Sequence, residues 1–363
     1  MKNEILLEAK NLSIGYGKKI VCPNINFSLK KGEVISIIGK NGAGKSTLLK
    51  TILKEIPHLD GEIFVNSKNL NSLQNNELAQ NVSALLTFHP RAEQMTCFDV
   101  VALSRYPHTN HFGKIREHDK NKILESLALV DALDFADKAF STLSDGQKQR
   151  VLIARSICQD APVLLLDEPF SFLDLKYSLE LLELLKSLAL QKKIGILMAV
   201  HDVAFALKVS DSFLCFEDSK CVLKSAKSLN EAGTVEKIFS MEQGSFDSVF
   251  LTAELKATFG KPKVFVLSCG ENGSAIYREL QRKNIPFATG ILSEGNIDFH
   301  LAKRFASFVV SVPPFCAIDE EIIVKAKKII DECEIVLDAG GDKKNSAFEK
   351  LRLYAGEKLC KQI

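Results

Sequence analysis

The chain has 363 residues, with 47 basic and 45 acidic side chains for a formal net charge of +2. That length suits two or three domains, and the near-balance of charge removes the basic footprint of a nucleic-acid binder. The nine cysteines, with no CxxC pair and no zinc spacing, point to reduced thiols in a cytosolic protein, and no apolar run approaches the ~20 residues of a membrane helix.

The first ten residues, MKNEILLEAK, place Glu4 and Glu8 among their apolar residues, so this stretch is not expected to be a signal peptide. The first chemical signal comes at Val34–Ile38, a β-branched run that ends in Gly39 and opens into GKNGAGKS, Gly39 to Ser46. Leucines at helical spacing follow. Strand, glycine loop and helix are the context that G-x-x-x-x-G-K-[ST] requires. Gly42 and Gly44 let backbone N–H groups converge on phosphate oxygens, Lys45 adds a positive charge, and Ser46 offers a hydroxyl to Mg²⁺. This is a nucleotide site.

Between this loop and the next motif, within about residues 77–140, lies VALSRYPHT, Val101 to Thr109. His108, His111 and His118 lie in or near it, without the spacing or companion ligands of a metal site, and a solvated loop is the expectation. LSDGQKQR, Leu143 to Arg150, then pairs Ser144 with Gln147 as a capping box that opens a helix through Val151, Ala154 and Ile157. VLLLDEP, Val163 to Pro169, reads as a doubly buried parallel strand delivering Asp167 and Glu168 to the carboxyl edge of a sheet. On a strand these adjacent acids would face opposite ways, Asp167 toward Mg²⁺ and Glu168 toward the attacking water. A further apolar strand, Ile194–Val200, ends at His201.

LSDGQ resembles the LSGGQ signature of ABC-type ATPases, and the other motifs follow in that family's order over roughly Met1 to Ser240. Tyr16 in LSIGYG sits where the family stacks an aromatic on adenine, SFLD (Ser171 to Asp174) matches the D-loop, and His201 matches the switch histidine. The resemblance implies a P-loop ABC cassette, with a RecA-like core and a helical subdomain, that hydrolyses ATP with Mg²⁺. It implies ATP held by Tyr16, Gly39, Asn41, Gly42, Ala43, Gly44, Lys45, Ser46 and Thr47, and across a head-to-tail homodimer by Ser144, Gly146 and Asp174. Lys45, Glu168 and His201 are the implied catalytic residues, with Ser46 and Asp167 on the metal.

VALSRYPHT resembles the corresponding run of cassettes that import iron–siderophore complexes, haem or cobalamin. The implied partners are membrane permease subunits, with an extracytoplasmic substrate-binding protein reached indirectly, and the implied place is the cytoplasmic face of the membrane. The alternative is a soluble ABC ATPase in a non-transport process, which would be expected to show coiled-coil insertions, paired cassettes or a basic surface. Two positions depart from the family pattern. Asp145 stands where the signature has glycine, and Thr87 stands where a glutamine normally reaches Mg²⁺, with Gln94 seven residues further on.

Beyond a linker at about 241–262, residues 263–363 alternate strand-like and helical runs in four βα units, a small doubly wound parallel-sheet domain. It resembles the Rossmann-like extension on some iron-type cassettes. Its first loop, within VFVLSCGENGS, carries Gly270 and Gly273 but neither the P-loop lysine nor G-x-G-x-x-G. Glu294 follows the second strand, near where a ribose-binding acid would sit. Dinucleotide binding, a regulatory small-ligand site and a packing or dimerisation module all remain open on this pattern.

Overall fold

The computed structural model describes residues 4–86, 94–109, 115–231, 233–241, 245–247, 251–255, 257–268, 272–340 and 346–360. Thr87, His111 and Gly270 lie outside these residues. The chain divides into two units, the first comprising Met1–Glu242 with Phe246–Ala253 and the second Gln243–Ser245 with Glu254–Ile363.

The first unit is built on a six-stranded sheet in the order Lys220–Ser225, Ser212–Glu217, Val34–Gly39, Gly195–Ala199, Val163–Asp167, Val82–Leu85. All neighbours are parallel except the Lys220–Ser225 edge strand, which runs antiparallel. The central runs VISIIG, VLLLD and GILMA are apolar almost throughout because both faces of the sheet are covered. Alternate residues divide between two cores. Ile35, Ile37, Leu165 and Leu197 meet Leu48, Leu49 and Ile52 of the helix after the glycine loop, together with a four-stranded antiparallel sheet from the N-terminal 70 residues. Ile38, Leu164, Leu166 and Met198 face the other way, into a core shared with the helices Cys97–Ala102, Glu117–Ala128, Asp145–Cys158 and Leu175–Lys192.

The second unit holds a five-stranded parallel sheet in the order Phe308–Val312, Phe287–Ser293, Val264–Leu267, Ile335–Asp338, Leu359–Cys360. Val264 and Val266 pack with Tyr277, Leu280, Leu301 and Phe305 on one face. Phe265 and Leu267 pack with Ile323, Ala326, Phe348 and Leu351 on the other. The domain is therefore doubly wound. The four expected βα units are present, and a fifth strand adds to them: the last helix, Ser346–Ala355, stops before Gly356, whose φ of 51° ends it, and Leu359–Cys360 returns to the sheet. In the expected linker, Ser245–Asp247 and Thr252–Glu254 form a two-stranded sheet.

The glycine loop of this second unit has a packing explanation at Gly273. A Cβ there would stand 2.7 Å from Ser268 Cβ and 2.9 Å from the Tyr277 hydroxyl. Beneath it the buried hydroxyls of Ser268, Tyr277 and Thr289 bond to one another, Tyr277 to Thr289 at 2.8 Å, and Thr289 donates to the Val266 carbonyl at 2.9 Å. Glycine lets the helix Asn272–Arg282 approach the end of the first strand closely enough to cover that cluster. Gly273→Ala is expected to cost roughly 1–3 kcal/mol of the second unit's stability through overpacking, read as a lower midpoint for that unit in thermal unfolding, with ATPase turnover retained.

Candidate nucleotide site

The glycine loop joins the buried strand Val34–Gly39 to the helix Lys45–Ile52. Gly42 has φ 76° and Gly44 φ 113°, both in the region that disfavours a side chain, and a Cβ on Gly44 would lie 2.8 Å from Val21 Cγ1. Asn41 is exposed and Ala43 partly buried on the loop, where Ala43 N–H donates to the Lys40 carbonyl at 3.3 Å. Lys45 is buried, and its Nζ donates to the carbonyls of Gly39 and Lys40 at 2.8 and 3.0 Å. Burial pushes the Lys45 ammonium below its ordinary value, while the carboxylates of Glu168 and Asp167 draw it back in part. Tyr16 is half exposed beside the loop, its hydroxyl 3.3 Å from Thr47 Oγ1.

At the neighbouring strand end Asp167 is buried, and Ser46 Oγ donates to its Oδ1 at 3.1 Å. Glu168 differs from the sequence-based expectation. The strand ends at Asp167, and Glu168 takes φ 52°, so it is off the strand and the two acids do not divide by strand alternation. A non-glycine residue in this region costs on the order of 1 kcal/mol and stays there only when its surroundings hold it. Here Glu168 N–H donates to the Ala199 carbonyl at 2.9 Å, and its carbonyl accepts from Ser171 N–H at 3.1 Å. The resulting turn swings the carboxylate to His201, with Oε1 2.6 Å from Nε2, while Ser171 Oγ donates to Oε2 at 3.2 Å. With Glu168 ionised, the carboxylate only accepts, so Nε2 carries the imidazole proton.

Ser144 caps the helix Asp145–Cys158. Its Oγ accepts from Gln147 N–H at 3.3 Å, and Gln147 Oε1 accepts from Ser144 N–H at 3.1 Å, so both halves of the capping box are present. Asp145 occupies the first helical turn, where a carboxylate is favoured by the positive end of the helix, and it pairs with Lys148 at 3.8 Å. Asp174 caps Leu175–Lys192 through Tyr177 N–H at 3.0 Å. The structure therefore brings Lys45, Ser46, Asp167, Glu168 and His201 to one edge of the sheet. Ser144, Gly146 and Asp174 sit instead at helix starts outside that group.

VALSRYPHT has a structural role that the sequence did not reveal. Arg105 is buried, with Nε donating to Asp119 Oδ1 at 3.0 Å and Nη1 to the Cys158 carbonyl at 2.9 Å. His108 Nε2 meets the Gln159 carbonyl at 2.7 Å, and Gln159 Nε2 donates to the carbonyls of Ala79 and Val82 at 2.6 and 2.9 Å. The motif thus clamps the end of the helix Asp145–Cys158 to the start of the strand Val82–Leu85. No group of three or more His, Cys, Asp or Glu suited to a metal ion occurs among the described residues.

Comparison with known proteins accounts for this arrangement. The ABC transporter family model matches residues 22–171. The ABC transporter ATP-binding protein MJ0873 of Methanocaldococcus jannaschii is 36% identical over 290 residues, which is 79% of this chain and 100% of that protein. The chain belongs to the ABC transporter ATP-binding proteins. The iron(3+)-hydroxamate import ATP-binding protein FhuC of Bacillus subtilis is 34% identical to this cassette over 204 residues, 56% of this chain and 76% of that one. Among solved structures, an inward-facing metal-chelate-type ABC transporter superposes on the cassette with a TM-score of 0.58 at 26% identity, covering 69% of this chain and 96% of that one. A dimeric bacterial ABC transporter cassette gives 0.56 at 25% identity, covering 61% and 99%. A separate model, the MJ0874 family, matches residues 287–358 in the second unit. The cassette is an ATP-binding ATPase subunit, and no helix among its described residues is long and apolar enough to cross a membrane.

Asp119→Ala would leave the Arg105 guanidinium buried without its carboxylate, at an expected cost of about 3 kcal/mol. The urea midpoint of the cassette is the measurement. The double change Arg105→Met with Asp119→Leu is expected to recover much of that loss, because it removes both charges together.

Proposed function

We propose that the cassette drives import of an iron complex, a siderophore, haem or cobalamin class of cargo, through a separate membrane permease from the cytoplasmic face of the membrane. Support comes from the relatives, whose names include iron(3+)-hydroxamate, petrobactin and ferric enterobactin import or transport ATP-binding proteins. The observation that carries the enzymatic part is the shared edge of Lys45, Ser46, Asp167, Glu168 and His201.

Lys45 and the loop N–H groups hold the phosphates of ATP, with Tyr16 against the base. The Ser46 hydroxyl and the Asp167 carboxylate, already 3.1 Å apart, are the hard oxygen pair that suits Mg²⁺, which keeps its other positions for water and phosphate. When bound, the ion neutralises charge on the β- and γ-phosphates. Glu168 accepts the proton of the attacking water, held in place by its turn and by His201. Ser144 and Gly146 at the start of their helix, with Asp174, complete the site of a second copy, as the dimeric cassette among the solved structures suggests.

A cleft of about 840 Å³ runs from Ser46 and Asp167 past Leu85, Leu86 and Leu152 to Arg155 and Gln159. It fits the role of permease dock. In that role Thr87 is the modified link to the nucleotide, with a hydroxyl in place of an amide, and Gln94, exposed in a turn, is its competitor. In the second unit, Glu294 accepts from Ser311 Oγ at 2.9 Å, and Gly273 answers to packing, which favours a structural module over a dinucleotide site.

Glu168→Gln is expected to lower kcat by about 100-fold or more while ATP still binds and dimers accumulate. Lys45→Ala should instead weaken ATP binding itself. Steady-state hydrolysis with nucleotide titration separates the two, and turnover at the parent rate in Glu168→Gln would remove Glu168 as the base. Co-purification with a polytopic membrane protein tests the transport assignment.

A further inference from the structure

The helix that begins at Ser144 touches the turn carrying Glu168 at two points. Gly146 lies against it so closely that a Cβ would stand 2.8 Å from the Phe172 carbonyl oxygen. Three residues on, and so on the same face of the helix, Gln149 is 4% exposed, and its Nε2 donates to the carbonyls of Pro169 at 3.1 Å and Glu168 at 3.4 Å. The turn itself is strained at both ends, with φ 52° at Glu168 and 65° at Phe172. Such a conformation persists only while neighbouring groups over-determine it. A buried amide that donates to the buried Pro169 carbonyl is such a group, and leaving that carbonyl without its donor carries a desolvation penalty, while the Glu168 carbonyl keeps the Ser171 N–H.

We infer that Gln149 is a positioning residue for hydrolysis, which holds the Glu168 turn in the conformation that presents the carboxylate to water. It does so from the same helix whose first residue faces the nucleotide of the second copy. That helix therefore links the two sites of a dimer. Ser144 reports the γ-phosphate of one site, and Gln149, one and a half turns later, fixes the base of the other. The inference rests on Glu168 being the group that activates water.

The test is a double-mutant cycle on the full-length chain, with kcat and KM for ATP measured at steady state and slow backgrounds followed by single turnover. Gln149→Met keeps the length and removes the donors. It is expected to lower kcat about tenfold, as one lost hydrogen bond at a buried site allows, with KM for ATP within about twofold. In the Glu168→Gln background, which already lacks the base, the same change is expected to lower the rate no further. Gln149→His, which keeps a neutral N–H donor at similar reach, is expected to recover part of kcat. If Gln149→Met does not fold, Gln149→Leu, apolar and without donors, takes its place in the cycle.

An equal loss in both backgrounds, or no loss of kcat in the parent, overturns the inference while leaving Glu168 as the base. Turnover at the parent rate in Glu168→Gln alone removes the premise and the inference together, so the two failures are told apart.

Discussion

The contact between Glu168 and His201 depends on a backbone conformation that Glu168 does not favour. Asp167 closes a buried strand, and one residue later the chain turns through φ 52° to bring a carboxylate within 2.6 Å of an imidazole from the next strand. Had the strand continued, Glu168 would have faced away from Asp167 on the opposite side of the sheet. The turn instead places both acids at the carboxyl edge beside Lys45. What surrounds the turn can be understood as its support: the Ala199 carbonyl below, Ser171 within, and the helix of Gly146 and Gln149 alongside.

That dependence explains which parts of the site were legible in the sequence. The glycine loop was legible because its requirements are local: φ 76° at Gly42 and 113° at Gly44 call for glycine whatever the rest of the protein does. The buried strands were legible because a sheet covered on both faces needs unbroken apolar runs, and VISII, VLLLD and GILMA supply them. The capping box was legible because both partners sit within one turn. The Glu168 turn was not, since its φ is imposed by residues up to 33 positions away. Gln149 stood inside a quoted motif, yet its contact lies 19 and 20 residues away in sequence, and nothing local announces it.

The same distinction separates two readings of Val101–Thr109. As a sequence it resembles a family run and carries a histidine, which invites a chemical role. In the structure its Arg105 and His108 are engaged with Asp119 and the end of the helix Asp145–Cys158, which Gln159 and Ser83 tie in turn to the strand Val82–Leu85. Arg105 reaches Cys158, His108 reaches Gln159, and Ser83 Oγ donates to the Ser156 carbonyl at 2.5 Å. A buried guanidinium paired with a buried carboxylate is weak evidence for stability and better evidence for a fixed geometry. The geometry fixed here joins the strand that leads toward residue 87 to the helix that starts at Ser144.

The second unit shows another case, in which one glycine of a loop resembling a phosphate motif, Gly273, has a packing role. Its sheet order runs outward from Val264–Leu267 in one direction and then crosses to the other side, the arrangement that places ligand crevices at the carboxyl ends of neighbouring strands in open α/β sheets. At that edge, however, the described polar groups are already engaged. Ser268, Tyr277 and Thr289 satisfy one another, and Asp338 is held by Arg352 at 2.8 Å and by Gly340 N–H at 3.1 Å. A glycine there serves the approach of helix to strand, as Gly146 serves the approach of its helix to the Phe172 carbonyl in the first unit. In both places the missing side chain lets two backbones meet. Only in the first does the meeting point lie next to a carboxylate whose position decides a reaction, and that neighbour, rather than the glycine, distinguishes a catalytic contact from a structural one.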